Sequence, residues 1–204
     1  MSAVPYCGAA PVPHAERWNF DPSLIIALLA FAAFYAIAFR SRFGRGLSRQ
    51  QAAAFALGWG VLAAAFVSPL CNLGVALFSV RVTQHMLTTI VAAPLLVAGG
   101  LDLILSRLLG VRAENPSGVT ALAAGLAFAA VLWAWHLPLL YDATFPSHGA
   151  YWAMQLTLLG TAVLLWHVML RAGQGYAFAT ASFTSLQMGA LAALFTLLPR
   201  AIFA

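Results

Sequence analysis

The chain has 204 residues, 63% hydrophobic and only 7% charged, and its ten basic residues, all arginine, outnumber five acids. Soluble domains carry about 25% charged residues, so this composition excludes a water-soluble globular domain and indicates an integral membrane protein. The formal charge of +5 reads as a topology signal rather than a nucleic-acid footprint, and two cysteines, Cys7 and Cys71, are too few for a disulfide framework.

Residues 1–21 read as a short extracytoplasmic tail. Met1–Asp21 lacks an apolar core and contains three prolines, so it does not read as a cleavable signal peptide. Residues 22–204 read as one domain of six hydrophobic segments, at about Pro22–Phe39, Ala52–Pro69, Val82–Leu105, Gly118–Leu137, Ala150–Leu170 and Phe178–Ala201. Each has roughly 18–24 residues, enough to cross a hydrocarbon core of about 30 Å. The expected fold is therefore all-α, a polytopic bundle of about six transmembrane helices. Asp21 is placed to cap the first helix, with Pro22 in its first turn. His136–Leu137–Pro138 ends the fourth, because a residue before proline resists helical geometry.

Arginine sets the orientation. Arg40, Arg42, Arg45 and Arg49 follow the first segment, Arg107 and Arg112 the third, and Arg171 the fifth; only Arg17, Arg81 and Arg200 lie on the opposite side. The positive-inside rule puts the larger set in the cytoplasm and both termini outside. That topology gathers Cys7, His14, Cys71, His85, His136, Asp142 and His148 on the outer side, and leaves His167 near the cytoplasmic face.

The third segment opens with a polar stripe. Arg81, Gln84, His85 and Thr88 fall at i, i+3, i+4 and i+7, which is one helical face. Ionisable groups at the mouth of a membrane helix are costly unless they face protein, water or a ligand. Imidazole and soft sulfur ligands suit cuprous copper, and the outer side offers His85, Met86, His136 and His148, with Met154 further along the fifth segment. On that segment His148, Tyr151 and Gln155 share a face, with Met154 turned away. No HxxxH, CxxC or HExxH spacing enforces a metal, and from the residues alone the favoured reading is that these side chains hydrogen-bond helices together, at about 0.6 kcal/mol each. Trp133, Trp135 and Tyr141 fit an aromatic belt. His136 reads as a helix-end cap or as a ligand, and Asp142 as a group orienting His136 or Arg81. Cys7 and Cys71 read as a disulfide, a copper-handling thiol pair, or unrelated free thiols. Thr184 and Gln187 read as packing contacts. Paired catalytic carboxylates, a phosphate-binding glycine loop and a hydrolase nucleophile motif are all missing, so the chain does not read as an enzyme.

Four stretches carry a family likeness: WNFDPSL, FVSPL, FSVRVTQHMLTTIVAAPLLVAGG and LWAWHLPLLYDATF. Together they resemble the membrane-type CtaG family, assembly factors of bacterial caa3-type cytochrome c oxidases, from about Trp18 onward. The resemblance implies a multi-pass protein of the bacterial inner membrane that serves maturation of a haem-copper oxidase, with terminal oxidase subunits and the lipid bilayer as partners and no nucleic acid. It also implies cuprous copper as cargo. Gln84, His85, Met86, Trp135, His136, Pro138, Tyr141 and Asp142 match the family pattern. Two positions depart from it. Arg81 stands where relatives often have histidine, and Met154–Gln155 where they often have a Glu-His pair. A permanent cation at 81 cannot ligate a metal. The readings are thus a copper-handling assembly factor using His85, His136 and His148 with Met86 or Met154, a metal-free scaffold for a nascent oxidase subunit with Arg81 docking a carboxylate or propionate, and a haem- or quinone-binding redox subunit.

Overall fold

A computed structural model describes residues 4–11, 17–111 and 115–197. His14, Arg112, Glu114, Arg200 and the end of the sixth segment lie outside the described residues. Among those described there is no strand, and six helices are long and apolar enough to cross a membrane: Pro22–Arg40, Arg49–Val67, Phe78–Ala98, Gly118–Trp135, His148–Arg171 and Gln174–Leu197. The chain divides into two compact units, Cys7–Ala113 and Glu114–Ala204, the latter together with Met1–Tyr6.

The Cys7–Ala113 unit begins with α1 (Pro22–Arg40). Asp21 accepts hydrogen bonds from the Ser23 and Leu24 amides and the Ser23 hydroxyl, so the cap is the one read from sequence. A 3-10 turn (Arg42–Gly44) leads to α2 (Arg49–Val67), which starts with a reciprocal Ser48–Gln51 capping box. Ser68 and Pro69 then start α3 (Pro69–Ala76), a short helix in what the sequence reading left as the link after the second segment.

The third span differs from its sequence reading at both ends. It starts at Phe78 rather than Val82 and runs as α4 (Phe78–Met86), a π-helical stretch (Leu87–Ala92) and α5 (Ala93–Ala98). In the π stretch the Ala93 amide bonds the Thr88 carbonyl five residues back. Pro94 accounts for this. Its ring lacks a donor and would clash with the carbonyl four residues earlier, and a wider turn removes that clash. The span ends before Gly99–Gly100, where Gly100 has φ +78°, a conformation that suits glycine. Leu101–Leu109 is therefore a separate helix, α6, and not the tail of the third span.

Packing in this unit depends on close backbone approach. A Cβ on Gly58 would lie 3.0 Å from the Ala92 carbonyl oxygen, and one on Gly99 only 2.6–2.8 Å from Phe55 Cβ, N and Cα. Small residues allow such contacts between membrane helices. Tyr35 reinforces the same point: its ring stacks on Phe55 at 3.5 Å, and its hydroxyl donates to the Gly99 carbonyl at 2.7 Å.

The other unit holds α7 (Gly118–Trp135), α8 (Pro138–Ala143), α9 (His148–Arg171) and α10 (Gln174–Leu197). Helices α7, α9 and α10 pack against one another, with Ala121, Ala124 and Val168 at one core contact. Trp133 Nε1 donates to Gln187 Oε1 at 2.9 Å, and Trp135 Nε1 donates to Thr157 Oγ1 at 2.9 Å. The two indoles therefore bond neighbouring helices, a role that the aromatic-belt reading did not include.

Candidate functional site

The polar stripe of the third span is buried as a face. Arg81, Gln84, His85 and Thr88 retain 5%, 1%, 7% and 2% of their exposure. Because α4 starts at Phe78, His85 lies about two turns into the helix, deeper than the single turn read from sequence. The stripe is engaged inside its own unit. Gln84 Nε2 donates to the Ala65 carbonyl on α2 at 2.8 Å, and the Thr88 and Thr89 hydroxyls donate to the His85 carbonyl at 2.9 and 2.7 Å. Met86, adjacent to His85 and thus about 100° round the helix, is half-buried.

Beyond this stripe, the same unit joins Cys7 and Cys71 in a disulfide with Cα atoms 5.3 Å apart. Neither cysteine is the free thiol of a copper-handling pair in this structure. Asn72, next in the chain and 1% exposed, holds the N-terminal segment against α3. Its Nδ2 donates to the Cys7 and Ala9 carbonyls at 3.0 and 2.8 Å, and its Oδ1 accepts from the Arg17 amide at 3.3 Å. Asn19 adds a backbone bond to the Val67 carbonyl at 2.8 Å. Asn19 and Asn72 were missed in the sequence, because a lone asparagine beside a proline-rich tail carries no periodic signal.

The Glu114–Ala204 unit with Met1–Tyr6 contains the remaining candidates. His136 is one residue beyond the fourth span, as the cap of α7. Its Nδ1 lies 2.7 Å from the Leu132 carbonyl. A carbonyl only accepts, so Nδ1 carries the proton and, in the neutral ring, Nε2 holds the lone pair. Burial lowers the His136 pKa below the ordinary value of 6.5, and the Leu132 hydrogen bond opposes that shift. The ring also sits 5.6 Å from that of Phe195. Asp142 does not orient His136, which bonds its own helix; the Asp142 side chain is exposed on α8. Tyr141, beside it, is buried.

His148 opens α9 and is exposed. Its Nε2–H donates to the Val4 carbonyl at 3.1 Å, and Tyr6 packs edge-on against its ring at 5.4 Å. Tyr6 also stacks on Tyr151 and meets Trp152 edge-on, both at 5.1 Å. Further along α9, Met154 is 0% and Gln155 3% exposed. Both Gln155 amide atoms are buried without a hydrogen-bond partner among the described residues.

Of the proposed copper ligands, His85 and Met86 belong to one unit and His136, His148 and Met154 to the other. Among the described residues, no three His, Cys, Asp or Glu side chains form a group able to hold a metal ion.

Comparison with curated proteins and with solved structures gives no match in either. A family model does match, described as cytochrome c oxidase caa3 assembly factor (Caa3_CtaG), over residues 30–204. That range takes in the stripe of the third span, His136 and both long helices that follow it. The chain belongs to the caa3 cytochrome c oxidase assembly-factor family.

Proposed function

We propose that this protein serves oxidase assembly in the bacterial inner membrane as a helical scaffold, engaging a nascent subunit of a haem-copper oxidase through its membrane-embedded faces. One observation carries this over the copper reading: of Cys7, Cys71, Met86 and Met154, the soft ligands the sequence offers, all but the half-buried Met86 are committed inside the fold. Cys7 and Cys71 are bonded to each other, and Met154 has no exposed surface. Gln84 and Thr88 of the polar stripe likewise bond backbone carbonyls of their own unit. The oxidised cysteine pair also favours an extracytoplasmic N-terminal side, in agreement with the arginine distribution and an N-out/C-out orientation.

The second reading is delivery of cuprous copper as cargo, with His136 as its lead ligand. The His136 ring supports it. Metal-ligating histidines usually donate one N–H to a carbonyl or carboxylate, as Nδ1 does here to Leu132, which leaves Nε2 for a metal. Anaerobic titration of the purified full chain with cuprous ion against a competing chelator separates the two. The scaffold reading expects no binding that competes with the chelator. Stoichiometric binding that disappears in His136→Ala would replace it with the cargo reading.

A further inference from the structure

The arginines after α1 form more than a topology signal. Arg40, Arg42, Arg45, Arg49 and Arg107 are all exposed, whereas Asp102, the acid on α6, is buried. They are carried on one junction, because the Arg107 guanidinium on α6 donates from Nη1 to the Phe43 and Arg45 carbonyls at 2.7 and 2.9 Å. The 3-10 turn packs against both α1 and α6. Leu47, after that turn, closes on Gly100, where a Cβ would sit 2.7 Å from its Cδ2. The loop is thus fastened to α6 through its backbone, which leaves the Arg42 and Arg45 side chains exposed, with the Arg42 guanidinium carbon 4.9 Å from the Phe43 ring centroid.

Helix α6 supplies the other half. Its nine residues span about 13 Å, far short of a hydrocarbon core of about 30 Å. Ile104 is fully buried, whereas Leu105, Leu108 and Leu109 are 37%, 41% and 75% exposed. These three fall at i, i+3 and i+4, one apolar face, beside exposed Arg107. A short amphipathic helix with a cationic flank suits the plane of the membrane interface, and arginine clusters beside a transmembrane helix attract anionic lipid headgroups.

We propose that the junction between the Arg42–Gly44 turn and α6 is a binding site for an anionic phospholipid: Arg42, Arg45 and Arg107 take the phosphate headgroup and Leu105, Leu108 and Leu109 take the acyl chains. A phospholipid matches both features at once, since among the described residues the patch exposes arginines and no acid, and it is continuous with an exposed apolar face. A soluble anion would use only the first feature, and a neutral lipid only the second.

Native mass spectrometry of the full chain in detergent, with phosphatidylglycerol or phosphatidylcholine added at equal mole fraction, tests the site. Phosphatidylglycerol should be retained at about one per chain and in preference to phosphatidylcholine. A basic residue near a membrane surface contributes a factor of about five, so Arg42→Gln or Arg45→Gln alone should lower the affinity about fivefold and the pair about thirtyfold. Arg171→Gln, which removes a charge from the other unit, should change nothing. The single variants alter exposed side chains and keep the test open if the double variant does not fold. Equal retention of the two lipids, or an Arg42→Gln/Arg45→Gln protein that folds and binds like Arg171→Gln, would overturn the site. So would displacement by glycerol 3-phosphate at the same concentration as the lipid, because the leucine face would then contribute nothing.

Discussion

Replacing Gly99 with alanine tests the closest helix approach in the Cys7–Ala113 unit. The φ of Gly99 is −69°, so alanine is not excluded by backbone conformation and the effect is one of space. Its Cβ would lie 2.6 Å from Phe55 Cβ, 2.7 Å from Phe55 N and 2.8 Å from Phe55 Cα. Two of those atoms are backbone of α2 and cannot rotate away, so the helices must separate. Overpacking of this kind costs about 1–3 kcal/mol. Separation also stretches the 2.7 Å bond from Tyr35 to the Gly99 carbonyl, which adds about 0.6 kcal/mol on the average for membrane helices. Gly60→Ala is the control, because a Cβ there meets nothing within 4 Å and helix propensity favours alanine by about 0.5–1 kcal/mol. Reversible unfolding in mixed micelles should show Gly99→Ala destabilised by about 2–4 kcal/mol, Tyr35→Phe by less than 1 kcal/mol, and Gly60→Ala no less stable than wild type. If Gly99→Ala proved as stable as Gly60→Ala, the packing derived for α2 and the third span would be wrong.

The Cys7→Ser/Cys71→Ser protein should lose about 2–4 kcal/mol, the usual contribution of a crosslink, and the wild-type chain should show no alkylatable thiol until it is both unfolded and reduced; ready alkylation in the folded state would remove the disulfide from the account. Gln155→Leu should stabilise the protein by about 1–3 kcal/mol, because it removes buried amide atoms that lack partners, and a loss of stability measured by the same unfolding assay would mean that the amide is satisfied. His136 has a pKa below its unfolded value of about 6.5, so the unfolded chain binds the additional proton. Its contribution to stability is therefore complete above pH 6.5 and disappears as pH falls through the folded-state pKa. The melting temperature of wild type should fall more steeply than that of His136→Gln between pH 7 and pH 5, and parallel curves, or an imidazole resonance titrating at or above pH 6.5, would contradict the shift.

Periodicity and capping made most of the fold legible. Six apolar runs and the Asp21–Pro22 start placed the spans within a few residues at most ends, since span length is set by bilayer thickness and little else. The third span was misread at its end because apolar residues resume beyond Gly99–Gly100 on both sides of Asp102 and carry the run into α6; the positive φ of Gly100 marks the break, and hydropathy does not see it. Short α3 and α8 were hidden for a similar reason, as Pro69 and Pro138 read as helix ends when each also begins a new helix. At the candidate site, the shared face of Arg81, Gln84, His85 and Thr88 was legible from spacing alone. Partners distant in sequence were not: Gln84 to Ala65, His148 to Val4 and Tyr35 to Gly99 depend on which helices become neighbours. The cysteine pairing was likewise one of three open readings until the 5.3 Å Cα separation and the S–S bond decided it.

The scaffold role is tested most directly by crosslinking in intact membranes, followed by purification of the full chain and detection of terminal oxidase subunits. The comparison is between cells grown with copper and cells depleted of it. Scaffolding by helix faces predicts that an oxidase subunit is captured in comparable yield under both conditions. Capture that requires copper would contradict it and make the protein a carrier of the metal.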